Sequence, residues 1–164
     1  MTKRRLQLAS IARRLGVIAP VALVLVTGCG GGGDRLTKDE FVRQANAVCA
    51  KYEQRVQSLM SGVPAGDEKQ LASSIEKVLP VIRKGNDELR SLRPPESLQS
   101  SFDRWMGIAD AEVTAAQNLR NALRSSDQQA TQDAFEELQS KDVAQDRLAR
   151  QELGLIGCAS GSSG

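Results

Sequence analysis

Three cysteines, Cys29, Cys49 and Cys158, and a complete lack of histidine bound the chemistry open to this 164-residue chain. Without histidine the chain lacks the commonest general base and the commonest metal ligand. With no Cys-x-x-Cys spacing, neither a zinc site nor a thioredoxin-like redox pair is supported. No serine nucleophile elbow, phosphate-cradling glycine loop or H-E-x-x-H helix occurs. The glycines 30 to 33 are followed by Asp34 and Arg35 and by no phosphate-loop lysine, so they read as a linker. Carboxylates remain, and Glu112 stands out because it falls beside the apolar stripe of a helix, as does Arg120. Boundary positions of this kind more often hold partly solvated charges than catalytic ones. We therefore expect no catalytic residue, no metal and no cofactor.

The start of the chain carries an address. Met1 to Arg14 holds Lys3, Arg4, Arg5, Arg13 and Arg14 with no acid, and an apolar run from Leu15 to Val26 follows. This is the charged-then-apolar layout of a secretory signal. A membrane span needs about 20 apolar residues, and this shorter run also contains Pro20. Val26-Thr27-Gly28-Cys29 then resembles the lipobox of bacterial lipoproteins, an aliphatic residue and two small ones before the cysteine. That resemblance implies a signal peptide over residues 1–28, a diacylglyceryl thioether on Cys29, and a mature chain that starts there. The alternative is an ordinary export signal with Cys29 as a free or bonded thiol. Two acyl chains hold a protein to a bilayer stably where one does so only marginally.

Assigning Cys29 to lipid changes two other readings. The signal contributes five of the 22 basic residues, leaving 17 against 20 acidic ones, a net of −3. The basic balance of the whole is thus a targeting feature and gives no support to nucleic-acid binding. Cys49 and Cys158 are left as a pair near the two ends of the folded region. Outside the cytosol such a pair is expected to be oxidised, and a cross-link closing a loop of this size is worth about 5 kcal/mol by loop entropy.

Four amphipathic helices are expected to carry that pair. Thr37-Lys38-Asp39-Glu40 reads as a capping box, and Phe41, Ala45, Val48, Tyr52, Val56 and Leu59 follow at steps of four and three. Gly62, Pro64 and Gly66 end this helix. A second stripe, capped by Asp67, runs through Leu71, Ile75, Val78, Ile82, Leu89 and Leu92. Pro80 is expected to kink it, and Gly85 lies on its apolar face, either admitting a bulky neighbour such as Trp105 or marking a weak spot. Arg93-Pro94-Pro95-Glu96 separates helices better than it serves as a polyproline docking motif. The third stripe is Leu98, Phe102, Trp105, Ala109, Val113, Ala116, Leu119 and Leu123. Asp127 caps a fourth helix over about Gln128 to Leu153, with a weaker stripe of Ala130, Ala134, Leu138, Ala144 and Leu148. Lys141 and Gln145 interrupt it, so either Lys141 buries its stem with its charge in water or the helix breaks there. Leu155 to Cys158 is expected to lie as an extended strap.

The resulting fold class is all-α, an antiparallel bundle of about four helices with a terminal disulfide. It divides into a lipidated Gly-rich tether over 29–36, a bundle over 37–158 and a disordered tail over 159–164. The five aromatics, Phe41, Tyr52, Phe102, Trp105 and Phe135, are assigned to the core, Tyr52 and Trp105 being better read there than as a ligand platform. A Gly-rich tether of about seven residues spans about 15 Å, which keeps the domain close to the lipid headgroups.

Thr37-Lys38-Asp39-Glu40-Phe41 with Ala45, Asn46 and Cys49, then Leu92-Arg93-Pro94-Pro95, then Leu153-Gly154-Leu155 with Cys158, resemble small helical lipoproteins and secreted proteins of actinobacteria. The resemblance implies a helical fold with the terminal disulfide and brings no activity or ligand. The expected function is that of a non-enzymatic binding or interaction module, lipid-anchored on the extracytoplasmic face of the cell membrane. Its expected partners are the bilayer, through acylated Cys29, and an envelope protein, and not nucleic acid. The alternative is a carrier of a small apolar or lipid ligand between helices, near Gly85 and Pro80. No ligand-binding residue is assigned by the sequence.

Overall fold

A computed structural model describes residues 35–159. The expected signal, Cys29, the glycines of the tether and residues 160–164 lie outside the described residues. Four helices account for most of the domain: α1 (Lys38–Met60), α2 (Glu68–Ser91), α3 (Glu96–Ser125) and α4 (Gln128–Leu148). No strand occurs among the described residues.

The helix starts follow the side chains that satisfy their free amides. The Thr37 hydroxyl accepts from the Glu40 amide, and the Glu40 carboxylate accepts from the Thr37 amide at 3.0 Å. Asp67 accepts from the Gln70 amide at 2.9 Å and Asp127 from the Ala130 amide at 3.0 Å, opening α2 and α4. α2 runs through Pro80, which is exposed, without interruption. α4 is likewise continuous past Lys141, which is half-buried. It ends earlier than expected, giving way to a π turn over Ala149–Leu153. The widened turn accommodates an extra residue and buries both Ala149 and Leu153. Gly154, in the left-handed region at φ 71°, then reverses the chain.

The segment after it is not an extended strap. Ile156–Cys158 forms a 3-10 turn, tied to α1 by the Gly157 amide donating to Asn46 Oδ1 at 3.0 Å and by the Cys49–Cys158 disulfide. The two Cα atoms of that disulfide are 5.1 Å apart across 109 residues of sequence. Leu155 and Ala159 are buried on either side of the turn, so Ala159 belongs to the folded domain. At the opposite terminus, Arg35 and Leu36 are also held. Arg35 donates to the Pro94 carbonyl at 2.9 Å, and the Leu36 amide donates to the Arg93 carbonyl at 2.8 Å.

The helices pack in chain order, α1 on α2, α2 on α3 and α3 on α4, and the 3-10 turn returns to α1. α1 and α4 scarcely touch, so the bundle is not closed by its first and last helices. Two apolar clusters follow from this. One joins Phe41, Val48 and Tyr52 of α1 to Leu89, Phe102, Trp105, Met106, Leu153 and Leu155, with Phe41 edge-on to Phe102 at 5.4 Å between ring centroids. The other joins α2, α3 and α4 through Ile75, Leu79, Val113, Leu119, Leu123 and Ala134. Phe135 is not in either core: it is 44% exposed, because α4 buries fully only Ala134 and leaves that side of the helix uncovered.

Candidate functional site

Where α1 and α4 part, a groove opens whose floor is made by α2 and α3. A cavity of about 390 Å³ is lined by Val48, Tyr52 and Glu53 of α1, Ile82, Gly85, Asn86 and Leu89 of α2, and Trp105 and Glu112 of α3. Asp142 and Gln145 of α4 form its other wall, and Gly157, Cys158 and Ala159 border it as well. A second hollow of about 370 Å³ continues it through Ile82, Glu112 and Asp142 to Phe135 and Leu138. Each hollow falls within or near the size range of small-ligand sites.

Gly85 sets the floor. A Cβ at this position would lie 3.0 Å from Cγ of Tyr52, so the absence of a side chain lets the tyrosine ring seat directly on α2. Gly85 thus admits Tyr52, not Trp105. The Tyr52 hydroxyl donates to Glu88 Oε2 at 2.7 Å, and Lys51 Nζ pairs with the same oxygen at 2.7 Å. Hydrogen bonds from Lys51 first and Tyr52 second hold the Glu88 carboxyl below the ordinary range. The same carboxylate raises the tyrosine hydroxyl and the lysine ammonium, each chiefly through its hydrogen bond. This rim fixes α1 against α2 beside the groove.

Glu112 is the unusual group. Burial first, and then the negative charges of Asp142 and Asp146, push its carboxyl up to about 7. It takes part in no ion pair among the described residues. Its neighbour is the amide of Gln145, which donates to both carboxylate oxygens at 2.8 Å when its NH2 group faces them. A protonated Glu112 reverses that bond and donates to the amide oxygen. Two turns earlier on α3, Trp105 borders the same groove, is 2% exposed, and leaves its Nε1–H without an acceptor. A buried donor left unpaired costs about 1–3 kcal/mol.

Arg120, the other boundary charge singled out by the sequence, lies outside the groove. It donates to Asn121 at 2.9 Å and approaches Glu76 of α2 to 3.9 Å, a cross-link between helices. Cys49 and Cys158 are joined, and their disulfide borders the groove. The sequence pointed to a ligand space between helices near Gly85 and Pro80: Gly85 lines the groove and Pro80 does not, and Gln145, which interrupts the stripe of α4, was the signal of its open side. A helix that packs against α1 has no reason to carry polar residues there, whereas one that faces an open groove does. Among the described residues no cluster of metal-ligating side chains is present, and no helix is long and apolar enough to cross a membrane.

Fold and site together define an all-α, disulfide-closed bundle opened laterally between its first and last helices. Comparison with protein-family models, with curated proteins and with solved structures finds no match to this chain in any of the three.

Proposed function

We propose that the chain is a lipoprotein anchored by acylated Cys29 on the extracytoplasmic face of the cell membrane, and that its bundle is a non-enzymatic binding module of the envelope. The observation that carries the reading is the groove between α1 and α4. A bundle with no task beyond folding gains by closing that gap and covering the half-buried Val56 and Ile82 and the exposed Phe135. This one instead keeps the gap open and places a raised carboxyl and an unpaired indole donor on it. The Cys49–Cys158 bond supports an oxidising compartment, and the pattern Val26-Thr27-Gly28-Cys29 supports the anchor. Binding is favoured over catalysis because, beside its carboxyls, the lining of the groove holds no serine, threonine, free thiol or basic side chain and no set of donors aimed at one developing charge.

A second reading, a carrier of a small apolar or lipid ligand, is favoured by the walls of the groove, where Val48, Tyr52, Ile82, Leu89 and Trp105 meet around Gly85. Intact mass of the membrane-extracted protein tests the anchor: a chain starting at Cys29 with two or more acyl groups, lost in Cys29→Ala, is the expected result. Photo-crosslinking from Phe135 or Val56 in intact cells tests the module. A protein adduct supports an envelope partner, a lipid adduct supports the carrier, and no adduct of either kind refutes both.

A further inference from the structure

The groove carries more than an apolar lining. Its walls at Tyr52, Ile82, Leu89 and Trp105 suit a hydrocarbon body, and its charged groups are of one sign: the carboxyls of Glu112 and Asp142 on facing helices, with Glu53 on α1, beside the uncharged amides of Asn86 and Gln145. Glu112 is partly buried, enters no ion pair among the described residues, and has an amide as its hydrogen-bonding neighbour. A carboxylate in an apolar groove is stabilised most by a cation that shares the groove with it. Trp105 lines the same cavity while 2% exposed, and its indole N–H has no acceptor among the described residues.

Taking the groove as a binding site, we propose that its ligand is an amphiphilic amine, whose ammonium pairs with Glu112 and Asp142 and whose apolar body lies along Tyr52, Ile82 and Trp105. An anionic lipid or fatty acid meets like charge there and is disfavoured. The hollow's volume, about 390 Å³, suits a small molecule rather than a helix of a partner protein.

Trp105 is the chain's single tryptophan, so its emission reports on this groove alone. The test titrates the full-length chain, held in nanodiscs of zwitterionic lipid, with octylamine, octanol and octanoate. Octylamine is expected to change the Trp105 emission saturably and to bind about tenfold or more tightly than the other two, as for one charge-assisted pair. Glu112→Gln is expected to lose that advantage, so that octylamine and octanol bind the variant about equally. Affinity for octylamine in the unaltered chain should rise from about pH 6 to about pH 8 as Glu112 ionises, since an alkylammonium stays charged throughout. The groups that share this titration are Asp142 and Asp146 on α4, the latter near Arg150, and Glu53 on α1, while α2 contributes only uncharged side chains to the cavity lining. Should Glu112→Gln not fold, the pH profile of the unaltered chain decides, and a flat profile overturns the inference. Equal binding of octylamine and octanol overturns it too and leaves an uncharged-ligand groove standing. No emission change with any of the three overturns both the inference and the groove as a site.

Discussion

Replacing Glu112 by glutamine should make the protein more stable at pH 8 and leave it nearly unchanged at pH 4. The carboxyl rises from 4.5 to about 7 on folding, chiefly through burial, so the folded chain holds that proton more tightly than the unfolded one. Between those values the native state binds more protons, and unfolding free energy falls as pH rises. The stabilising contribution of neutral Glu112 is complete below about pH 4.5 and is lost as pH rises through about 7. At about 1.4 kcal/mol for each tenfold change in proton affinity, the full loss is about 3 kcal/mol. Solvent at the exposed edge of the half-buried side chain trims it to about 2 kcal/mol. Glutamine keeps the shape and the hydrogen bond to Gln145 and carries no charge, so its stability should not follow this part of the pH curve. Urea unfolding of both proteins followed by circular dichroism measures the difference. At a slope of about 2 kcal/mol per molar urea, the midpoints should separate by about 1 M at pH 8 and converge at about pH 4. A separation independent of pH, or a variant weaker than the parent at pH 8, would refute the assigned burial of this charge.

Three further outcomes follow from the packing. Cys49→Ser with Cys158→Ser releases a cross-link across 109 residues and should cost about 5 kcal/mol by loop entropy. That lowers Tm by about 15 °C for a domain of this size, and a calorimetric drop under 5 °C would count against the entropic account. Gly85→Ala places a methyl 3.0 Å from Cγ of Tyr52, and overpacking of about 1–3 kcal/mol should outweigh a helix-propensity gain of about 1 kcal/mol. In a double-mutant cycle, Tyr52→Ala should relieve that penalty, and strict additivity of the two changes would contradict it. Thr37→Ala removes the capping hydroxyl and should cost about 1 kcal/mol in urea unfolding, with early amide exchange confined to the first turn of α1.

The helices were legible because their signals are local. Thr37, Asp67 and Asp127 each cap the helix that follows them, and the stripe from Phe41 to Tyr52 is buried along its length. The disulfide was legible for a different reason: once Cys29 is set aside, Cys49 has Cys158 as its one remaining counterpart. What the sequence could not give was the way long-range surfaces share one another. Tyr52, rather than Trp105, takes the space above Gly85, because α1 crosses α2 at that level, and no periodicity encodes which neighbour arrives there. Phe135, assigned to the core as an aromatic on a weakly striped helix, is exposed, because burial depends on a partner helix being present and α1 stands away from α4.

Glu112 shows both limits at once. Its place beside the stripe of α3 was visible from spacing alone, since a side chain's position around a helix is fixed by its number. Its raised carboxyl was not, because that depends on how much water the neighbours exclude and on Asp142 and Asp146, which only folding brings across from α4. By itself the sequence determined the helices, their caps and the cysteine pair, all set by local spacing or by elimination among few residues. The tertiary structure alone decided that the bundle stays open between its first and last helices, because that gap follows from which surfaces find partners and which do not.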